Sequence, residues 1–392
     1  MAPNVPFDMQ TEIMKRFPVK SLIRFQSVSK TWKSVISSCD FIACYSRHQQ
    51  QQHLLLRYHD DFTEKYVSVV DDDSFSEQRV SLTAPLLVNT LKCSTTIGSS
   101  HGLLCSYSLS HSLDALIHGR CMAVISNPSV GKGVGVVVPN FETGIYKTSL
   151  GFGVCRETTD PKIVKVTHIT NSPDIERITS IPRQVEVFTL SKRAWRPPYS
   201  SNLPRKSIRF FNKVVVVDGV LYWLATDRTP RWSNQWYNLI VSFDMTSEEF
   251  REVNLPDSLA DSNMFIWNLS IYKIRESIAV LECDINVVWV MENGVSKSFT
   301  KLFTIDVNMP HASLIGFRKS GELIIQIYQA GPRTSKYVVY EPYSKHIDDV
   351  EFGGMNFSLC VPYMETLLLL DQPNFTVYDD METLQLPSSF VW

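Results

Sequence analysis

The segment IVSFDMTSEEFREVNLP, from Ile240 to Pro256, carries the pattern that decides the fold of this chain. An apolar run ends at Phe243, a polar turn follows, and a second extended stretch completes the unit. Four further segments have this shape and a fifth has it more loosely. They begin at Val185, Val288, Tyr337 and Thr376, and the looser one begins at Met122. Runs of Val, Ile, Phe and Tyr bounded by turn residues are typical of short β-strands, so the repeated unit is built of strands.

The repeat has a period near fifty residues. The equivalent positions are Ile125, Phe188, Phe243, Met291, Tyr340 and Tyr378, which are separated by 63, 55, 48, 49 and 38 residues. Four strands with their turns occupy about fifty residues, roughly the length of a kelch-type propeller blade. The period therefore favours a kelch-like β-propeller of about six to eight blades over a sandwich or a barrel. The run Thr366–Leu370 is also predicted to be a strand, and the best helical candidate in this part of the chain is Asp257–Ala260.

The first 45 residues have a different, helical texture. Met9, Ile13 and Phe17 recur every four residues and form one apolar stripe, which Pro18 ends because proline disfavours helix at the residue before it. A second helical stretch covers Lys20–Ser27, and a third begins after Ser29, a plausible N-cap. Such short helices bury little apolar surface by themselves and need a further surface to pack on. We predict an α+β multidomain protein: a three-helix module at 1–45, a linker or helix extension at 46–53, and an all-β domain at 54–392.

Composition narrows the function classes. The chain has 392 residues, 44% of them apolar and 20% charged, which suits two globular parts. The formal net charge of −2 gives no general electrostatic reason to expect nucleic-acid or membrane binding. None of the eight cysteines forms a C-x-x-C pair, and no signal peptide or membrane-spanning stretch is visible, so we expect a reducing compartment, cytoplasmic or nuclear. No catalytic, metal-binding or cofactor motif is found, and we predict no catalytic residue, no metal and no cofactor.

Two groups of motifs resemble a known plant family. EIMKRFPVKSL at Glu12–Leu22 and VSKTW at Val28–Trp32 resemble the F-box, within a match that runs from Val5 to Ile42. The remainder resembles the F-box-associated, kelch-like interaction domain. The segments that carry this second likeness are SSHGLLCSY at Ser99–Tyr107, SNPSVGK at Ser126–Lys132 and GFGVC at Gly151–Cys155.

The resemblance implies a non-catalytic receptor. An F-box binds a Skp-family adaptor, and through it a cullin and a RING protein, while the second domain holds a target protein for ubiquitination. By the family pattern, the adaptor-binding positions are Pro6, Ile13, Pro18, Val19, Leu22, Val28 and Trp32. A basic rim that suits an acidic adaptor is formed by Lys15, Arg16, Lys20, Arg24, Lys30 and Lys33. The alternative is that Ile13, Val28 and Trp32 belong to the core of the helical module or pack on the β domain.

The target surface is weakly marked. The segment RTPRWSNQWYN at 228–238 is polar, aromatic and basic, and loops on a rigid scaffold often carry binding residues. Its candidate target-binding residues are Arg228, Arg231, Trp232 and Trp236. The alternative is a plain connection along a blade edge. For the whole chain, two other functions stay open: an F-box scaffold acting outside a ligase, and a propeller-type enzyme or carbohydrate binder.

Overall fold

A computed structural model of the chain gives the architecture. It describes residues 5–48, 52–60, 63–91, 94–108, 121–139, 145–170, 180–181, 183–228, 236–261, 265–283, 286–292, 298–305, 312–328, 335–352, 357–373, 376–379 and 383–385. Among these residues, no helix has the length and apolar character that crossing a membrane requires.

Four short helices form the N-terminal module. They are α1 (Phe7–Met14), α2 (Val19–Phe25), α3 (Lys30–Ile36) and α4 (Cys39–His48). Ser29 caps α3, since its Oγ accepts a hydrogen bond of 3.1 Å from the backbone N–H of Trp32. Among the described residues after this module, two short helices occur, α5 (Leu86–Asn89) and α6 (Asp257–Ala260), and the second agrees with the sequence prediction.

The rest of the described chain consists mostly of strands in six sheets. Sheet I contains β1 (His53–Asp60), β2 (Thr63–Val70), β3 (Arg79–Thr83) and β24 (Phe357–Tyr363), in the order β24-β1-β2-β3. Sheet II contains β4 (Thr95–Ser100), β5 (Leu103–Ser108), β6 (Met122–Asn127), β7 (Lys132–Val137), β25 (Thr376–Tyr378) and β26 (Thr383–Gln385), in the order β26-β25-β7-β6-β5-β4.

Sheets III to VI each have four strands that follow one another in the chain. Sheet III has β8 (Tyr146–Val154), β9 (Pro161–Ile169), β10 (Val185–Thr189) and β11 (Ala194–Arg196). Sheet IV has β12 (Ile208–Val217), β13 (Val220–Asp227), β14 (Tyr237–Asp244) and β15 (Phe250–Asn254). Sheet V has β16 (Leu269–Ile274), β17 (Ser277–Glu282), β18 (Val287–Met291) and β19 (Phe299–Thr304). Sheet VI has β20 (Ala312–Phe317), β21 (Leu323–Tyr328), β22 (Ser335–Glu341) and β23 (His346–Val350).

These sheets confirm the predicted fold class, with a helical N-terminal module and six blade sheets of a propeller among the described residues. The repeat positions fall in equivalent places. Ile125, Phe188, Phe243, Met291 and Tyr340 all lie on the third strand, in chain order, of the blade that contains them. Tyr378 is the exception, because it lies on β25, a three-residue strand that pairs in parallel with β7. The last unit of the sequence repeat was therefore assigned wrongly.

The contacts of the chain divide it into two compact units. The first comprises Met1–Thr96, His101–Val137 and Phe357–Trp392, and the second comprises Ile97–Ser100 and Val138–Asn356. In the second unit, Trp223 is fully buried, and its Nε1–H donates a hydrogen bond of 3.2 Å to the Leu150 carbonyl. A side chain at Gly151 would overlap the Trp223 ring, which explains a glycine in the GFGVC motif.

The strand predicted at Thr366–Leu370 is wrong. This run contains no strand and ends in a turn, in which the Leu370 N–H bonds to the Leu367 carbonyl. Asn127, from the SNPSVGK motif, holds the segment from outside: its Nδ2 donates to the carbonyls of Thr366 (2.9 Å) and Leu368 (2.6 Å). The Asn127 amide thus donates to carbonyls that a neighbouring strand would otherwise bind. The apolar side chains of the run are buried by packing on the helices.

Candidate functional site

The seven predicted adaptor-binding residues divide by exposure. Val19 and Leu22 are fully buried in the core of the helical module. Trp32 is half-buried, with its Nε1–H bonded to Gln10 Oε1 (3.1 Å) and its ring edge-on to Phe25. The other four, which are Pro6, Ile13, Pro18 and Val28, are exposed. The set therefore contains residues open to a partner and residues that the chain uses for its own packing.

The buried pair joins the helices to the rest of the first unit. Leu22 and Val19 belong to one apolar cluster with Leu367, a residue more than 300 positions away. The backbone N–H of Val19 has no partner within α2, because it lies at the start of the helix. It donates to Glu365 Oε2 at 2.9 Å instead. A substitution at Val19 or Leu22 would therefore destabilise the fold, and any loss of partner binding could not be separated from that loss of stability.

The first helix presents exposed apolar side chains, which we call the α1 face and define as Met9 and Ile13, four residues apart on one side of the helix. Val5, Phe7 and Phe17 are also exposed, and Phe17 packs edge-on against Phe25. Met9 is 58% exposed and Ile13 is 48% exposed, and the other three also exceed a third. The sequence revealed the stripe of Met9, Ile13 and Phe17 but not that it points into solvent. Of these five residues, only Ile13 was a predicted adaptor-binding residue. Val5, Phe7, Met9 and Phe17 were missed as site residues, and only exposure identifies them. Exposed apolar patches of this kind mark protein interaction sites.

The helical module also carries exposed positive charge. Arg16, Lys20, Arg24, Lys30 and Lys33 are exposed, and none of them forms an ion pair within the part of the chain that the structure describes. Lys15, the sixth member of the predicted basic rim, bonds to Glu12 at 2.6 Å instead. Five exposed cations on the helical module suit an acidic partner, mainly by steering its approach.

The second unit carries the predicted target-binding segment. Arg228 places its guanidinium over the indole of Trp236, 4.6 Å from the ring centroid, and Trp236 is 40% exposed. The structure therefore brings together the first and last of the four predicted residues. Arg231 and Trp232 lie outside the described residues.

A second exposed aromatic pair in this unit was not anticipated. Phe265 and Trp267 stack with centroids 4.9 Å apart and ring planes 10° from parallel, and both are more than half exposed. Phe265 precedes a 3-10 turn, Ile266–Asn268, which contains Trp267 and leads into β16. Lys213 holds the end of this turn through a hydrogen bond from Nζ to the Leu269 carbonyl (2.6 Å). Exposed Trp on a fixed turn has the composition of interface hot spots.

No group of three or more His, Cys, Asp or Glu side chains among the described residues is arranged to hold a metal ion. Burial raises the pKa of the Cys105 and Cys360 thiols, and a protonated buried thiol is a poor nucleophile. The surfaces described above are suited to binding.

Comparison with known proteins gives a consistent family. A family model described as "F-box associated beta propeller domain" matches residues 23–373. F-box protein At2g21930 of Arabidopsis thaliana is 26% identical over 380 residues, covering 90% of this chain and 87% of that protein. F-box protein CPR1 of Arabidopsis thaliana is 26% identical over 324 residues, covering 77% and 73%. A third Arabidopsis thaliana F-box protein, At3g52320, is 27% identical over 274 residues, which span 65% of this chain and 60% of that protein. The solved structure of TolB from Acinetobacter baumannii, at 10% identity, aligns over 80% of this chain and 66% of that one with a TM-score of 0.38, too low to bear on function.

Proposed function

Because the chain belongs to the F-box associated β-propeller family, we propose that it is the substrate-recognition subunit of an SCF-type cullin–RING ubiquitin ligase. Its helical module binds a Skp-family adaptor, and its β domain binds a target protein for ubiquitination. The subunit itself is non-catalytic. It raises the concentration of the target near the conjugating enzyme, which is what a bivalent receptor contributes. We place it in the cytoplasm, the nucleus or both.

The observation that carries this proposal is the exposed α1 face. Apolar side chains on a short helix are normally buried, and here Met9 and Ile13 stay about half exposed while Val19 and Leu22 are fully buried in a cluster that includes Leu367. The helices thus bury one set of apolar residues against the rest of the chain and leave another set exposed. An adaptor seated on the α1 face would cover it, and the exposed cations of the helical module would attract an acidic surface.

The test is adaptor binding by the full chain. Ile13→Asp should weaken binding to a purified Skp-family adaptor by at least about tenfold, since it puts a charge where apolar contact is expected. Val80→Asp is the matched control: Val80 is 52% exposed on β3, so the same substitution there should leave the affinity unchanged. Calorimetry would measure both, and circular dichroism would verify that the variants are folded.

Two outcomes would argue against the proposal. Equal affinity of the wild type and the Ile13→Asp variant would remove the α1 face as the adaptor site. Tight adaptor binding without recruitment of a cullin in a reconstituted mixture would favour a scaffold acting outside a ligase.

A further inference from the structure

Two arginines of the second unit, Arg209 and Arg228, have no ionic partner. Both are half-buried, and within the part of the chain that the structure describes neither forms an ion pair. The carboxylate nearest in sequence, Asp227, lies on the opposite face of β13 and is bound by Arg205 at 2.6 Å. Glu282, a buried carboxylate of sheet V, pairs with neither of the two arginines. Two positive charges are therefore left without a counter-ion.

Strand register places both arginines on one face of sheet IV. Arg209 on β12 lies directly opposite Thr226 on β13, and Arg228 comes two residues after Thr226. Because side chains alternate along a strand and opposite residues share a face, the three side chains point to the same side. The pairing continues to Arg228, whose N–H bonds to the Ser207 carbonyl at 3.2 Å. Diagonal neighbours in such a pair are about 7–8 Å apart, a separation that two arginine side chains can bridge.

This face of sheet IV is the one that packs toward sheet V. Leu224, two residues before Thr226 on β13, belongs to one apolar cluster with Leu269 of sheet V. Phe211, two residues after Arg209 on β12, packs against the same cluster, and the guanidinium carbon of Arg209 lies 5.2 Å from the centroid of its ring. The two arginines thus lie just beyond this apolar cluster, at the end of sheet IV where β12 starts and β13 stops.

Polar atoms on the same face lack hydrogen-bond partners. Thr226, only 3% exposed, has an unpartnered Oγ1, and the buried Nε of Arg228 makes no hydrogen bond among the described residues. Buried polar atoms are nearly always hydrogen-bonded, and exceptions call for an explanation such as a bound ion. Trp236 lies against the Arg228 guanidinium and fixes the plane of its donors. Burial and the charge of Arg209 lower the pKa of Arg228, in keeping with two neighbouring cations.

The exposed pair Phe265 and Trp267 lies on the same side of sheet IV. Ile266, between them in sequence, is buried in the apolar cluster that sheets IV and V share. The segment that leads to this turn passes beside the start of β14, because Asn238 Nδ2 donates to the Leu259 carbonyl at 2.9 Å. Exposed aromatic surface and uncompensated positive charge therefore occur at one end of the boundary between sheets IV and V. Trp and Arg are the residue types most enriched among interface hot spots.

We propose that Arg209 and Arg228 bind the carboxylate of an acidic side chain on the target protein, while an apolar residue of the same segment packs on Phe265 and Trp267. This inference rests on the proposed function for the existence of a target. Charge complementarity favours an acidic segment, since the two arginines have no counter-ion of their own. The planar guanidinium matches a carboxylate in a bidentate contact. At half-buried arginines a single negative charge also costs less to desolvate than a doubly charged phosphate ester.

The test uses short peptides on the full-length protein. Three blocked peptides, Gly-Leu-X-Leu-Gly with X as glutamate, glutamine or phosphoserine, are titrated at equal ionic strength into protein labelled with 5-fluorotryptophan. The fluorine resonances of Trp236 and Trp267 are assigned from their loss in Trp236→Phe and Trp267→Phe variants. We expect the glutamate peptide to shift both resonances saturably, at a concentration at least about tenfold lower than the glutamine peptide requires. Equal saturation by these two peptides, or tighter saturation by the phosphoserine peptide, would overturn the proposal.

Variants separate this site from general surface charge. Arg209→Gln and Arg228→Gln should each weaken the glutamate peptide by at least about tenfold, the loss of one charge-assisted hydrogen bond, and leave the glutamine peptide unchanged. Arg251→Gln removes one positive charge from an exposed arginine that is already paired with Glu249, and it should change neither titration. Equal affinity for the glutamate peptide in the wild type and both cation variants would overturn the proposal.

The aromatic contact has its own variant. Trp267→Ala should weaken the glutamate and glutamine peptides by the same factor, read from the Trp236 resonance, because it removes apolar contact and no charge. Unchanged binding in this variant would remove the Phe265–Trp267 pair from the site. No adaptor is present in these titrations, so their failure would leave the adaptor-binding proposal standing, and a failed adaptor experiment would leave this site standing.

Discussion

Replacing Glu248 with Gln should lower the free energy of unfolding by about 3 kcal/mol, because this carboxylate is the fully buried centre of an ion network in the second unit. Arg196 donates to both of its oxygens, at 2.6 and 2.7 Å. Lys162 Nζ donates to Oε1 at 2.9 Å, and the backbone N–H of Tyr199 donates to Oε2 at 3.0 Å. The carboxylate thus accepts four hydrogen bonds, and three of them come from positively charged side chains.

The magnitude follows from what Gln would replace. Its amide group has one oxygen and one NH₂, so at least two of the four donors would face another donor. Hydrogen bonds to charged groups contribute about 1.5–3 kcal/mol each, and breaking a buried ion pair from one side costs about 3–5 kcal/mol. Arg196 keeps 24% exposure and recovers some water, which places the expected loss near the lower end.

The network also predicts a pH dependence. Burial alone would raise the pKa of Glu248, but hydrogen bonds from Arg196, Lys162 and the Tyr199 amide outweigh it, and the net pKa is lowered. A carboxyl with a lowered folded-state pKa contributes stability above its unfolded pKa, about 4.3, and loses it as the pH falls through the folded value. The gap in stability between the wild type and Glu248→Gln should be constant from pH 6 to 8 and narrow below about pH 4.3.

Urea denaturation followed by tryptophan fluorescence would measure this gap. Glu252→Gln is the matched control, since Glu252 also accepts two bonds from one arginine, Arg205, but at a partly exposed site. An exposed pair contributes at most about 1 kcal/mol. Equal losses in the two variants, or a gap that persists unchanged into acid, would refute the account of Glu248 as a buried, ionised centre.

Two further predictions concern the segment on which the helical module packs. Leu367→Ala should lower the free energy of unfolding by about 2–5 kcal/mol and accelerate amide exchange in α2, because it leaves a cavity at a fully buried position. Leu86→Ala, at an exposed site, should do neither. Equal amide exchange in the two variants would contradict this packing. Gly102→Ala should destabilise by at least about 2 kcal/mol in thermal unfolding, since it has φ +76° and a side chain would overlap the Met364 carbonyl. Gly131 has a similar φ of +67° but open space around it, so Gly131→Ala measures the cost of the backbone conformation alone. An equal loss of stability in the two variants would rule out the overlap.

Local patterns in the sequence determined the architecture. The repeat with a period near fifty residues predicted propeller blades, since five of its six positions lie on equivalent strands. Ser29 predicted the start of α3 because an N-cap needs only its own next three residues. Features of this kind depend on neighbours in the chain, so the sequence states them directly.

The direction in which an apolar residue points was decided by the tertiary structure. The sequence showed Met9, Ile13 and Leu22 as apolar residues of short helices, and nothing local distinguishes the two that face solvent from the one that packs on Leu367. The same holds for Thr366–Leu370, whose composition is that of a strand. Its conformation is set by the Asn127 amide, more than 200 residues earlier.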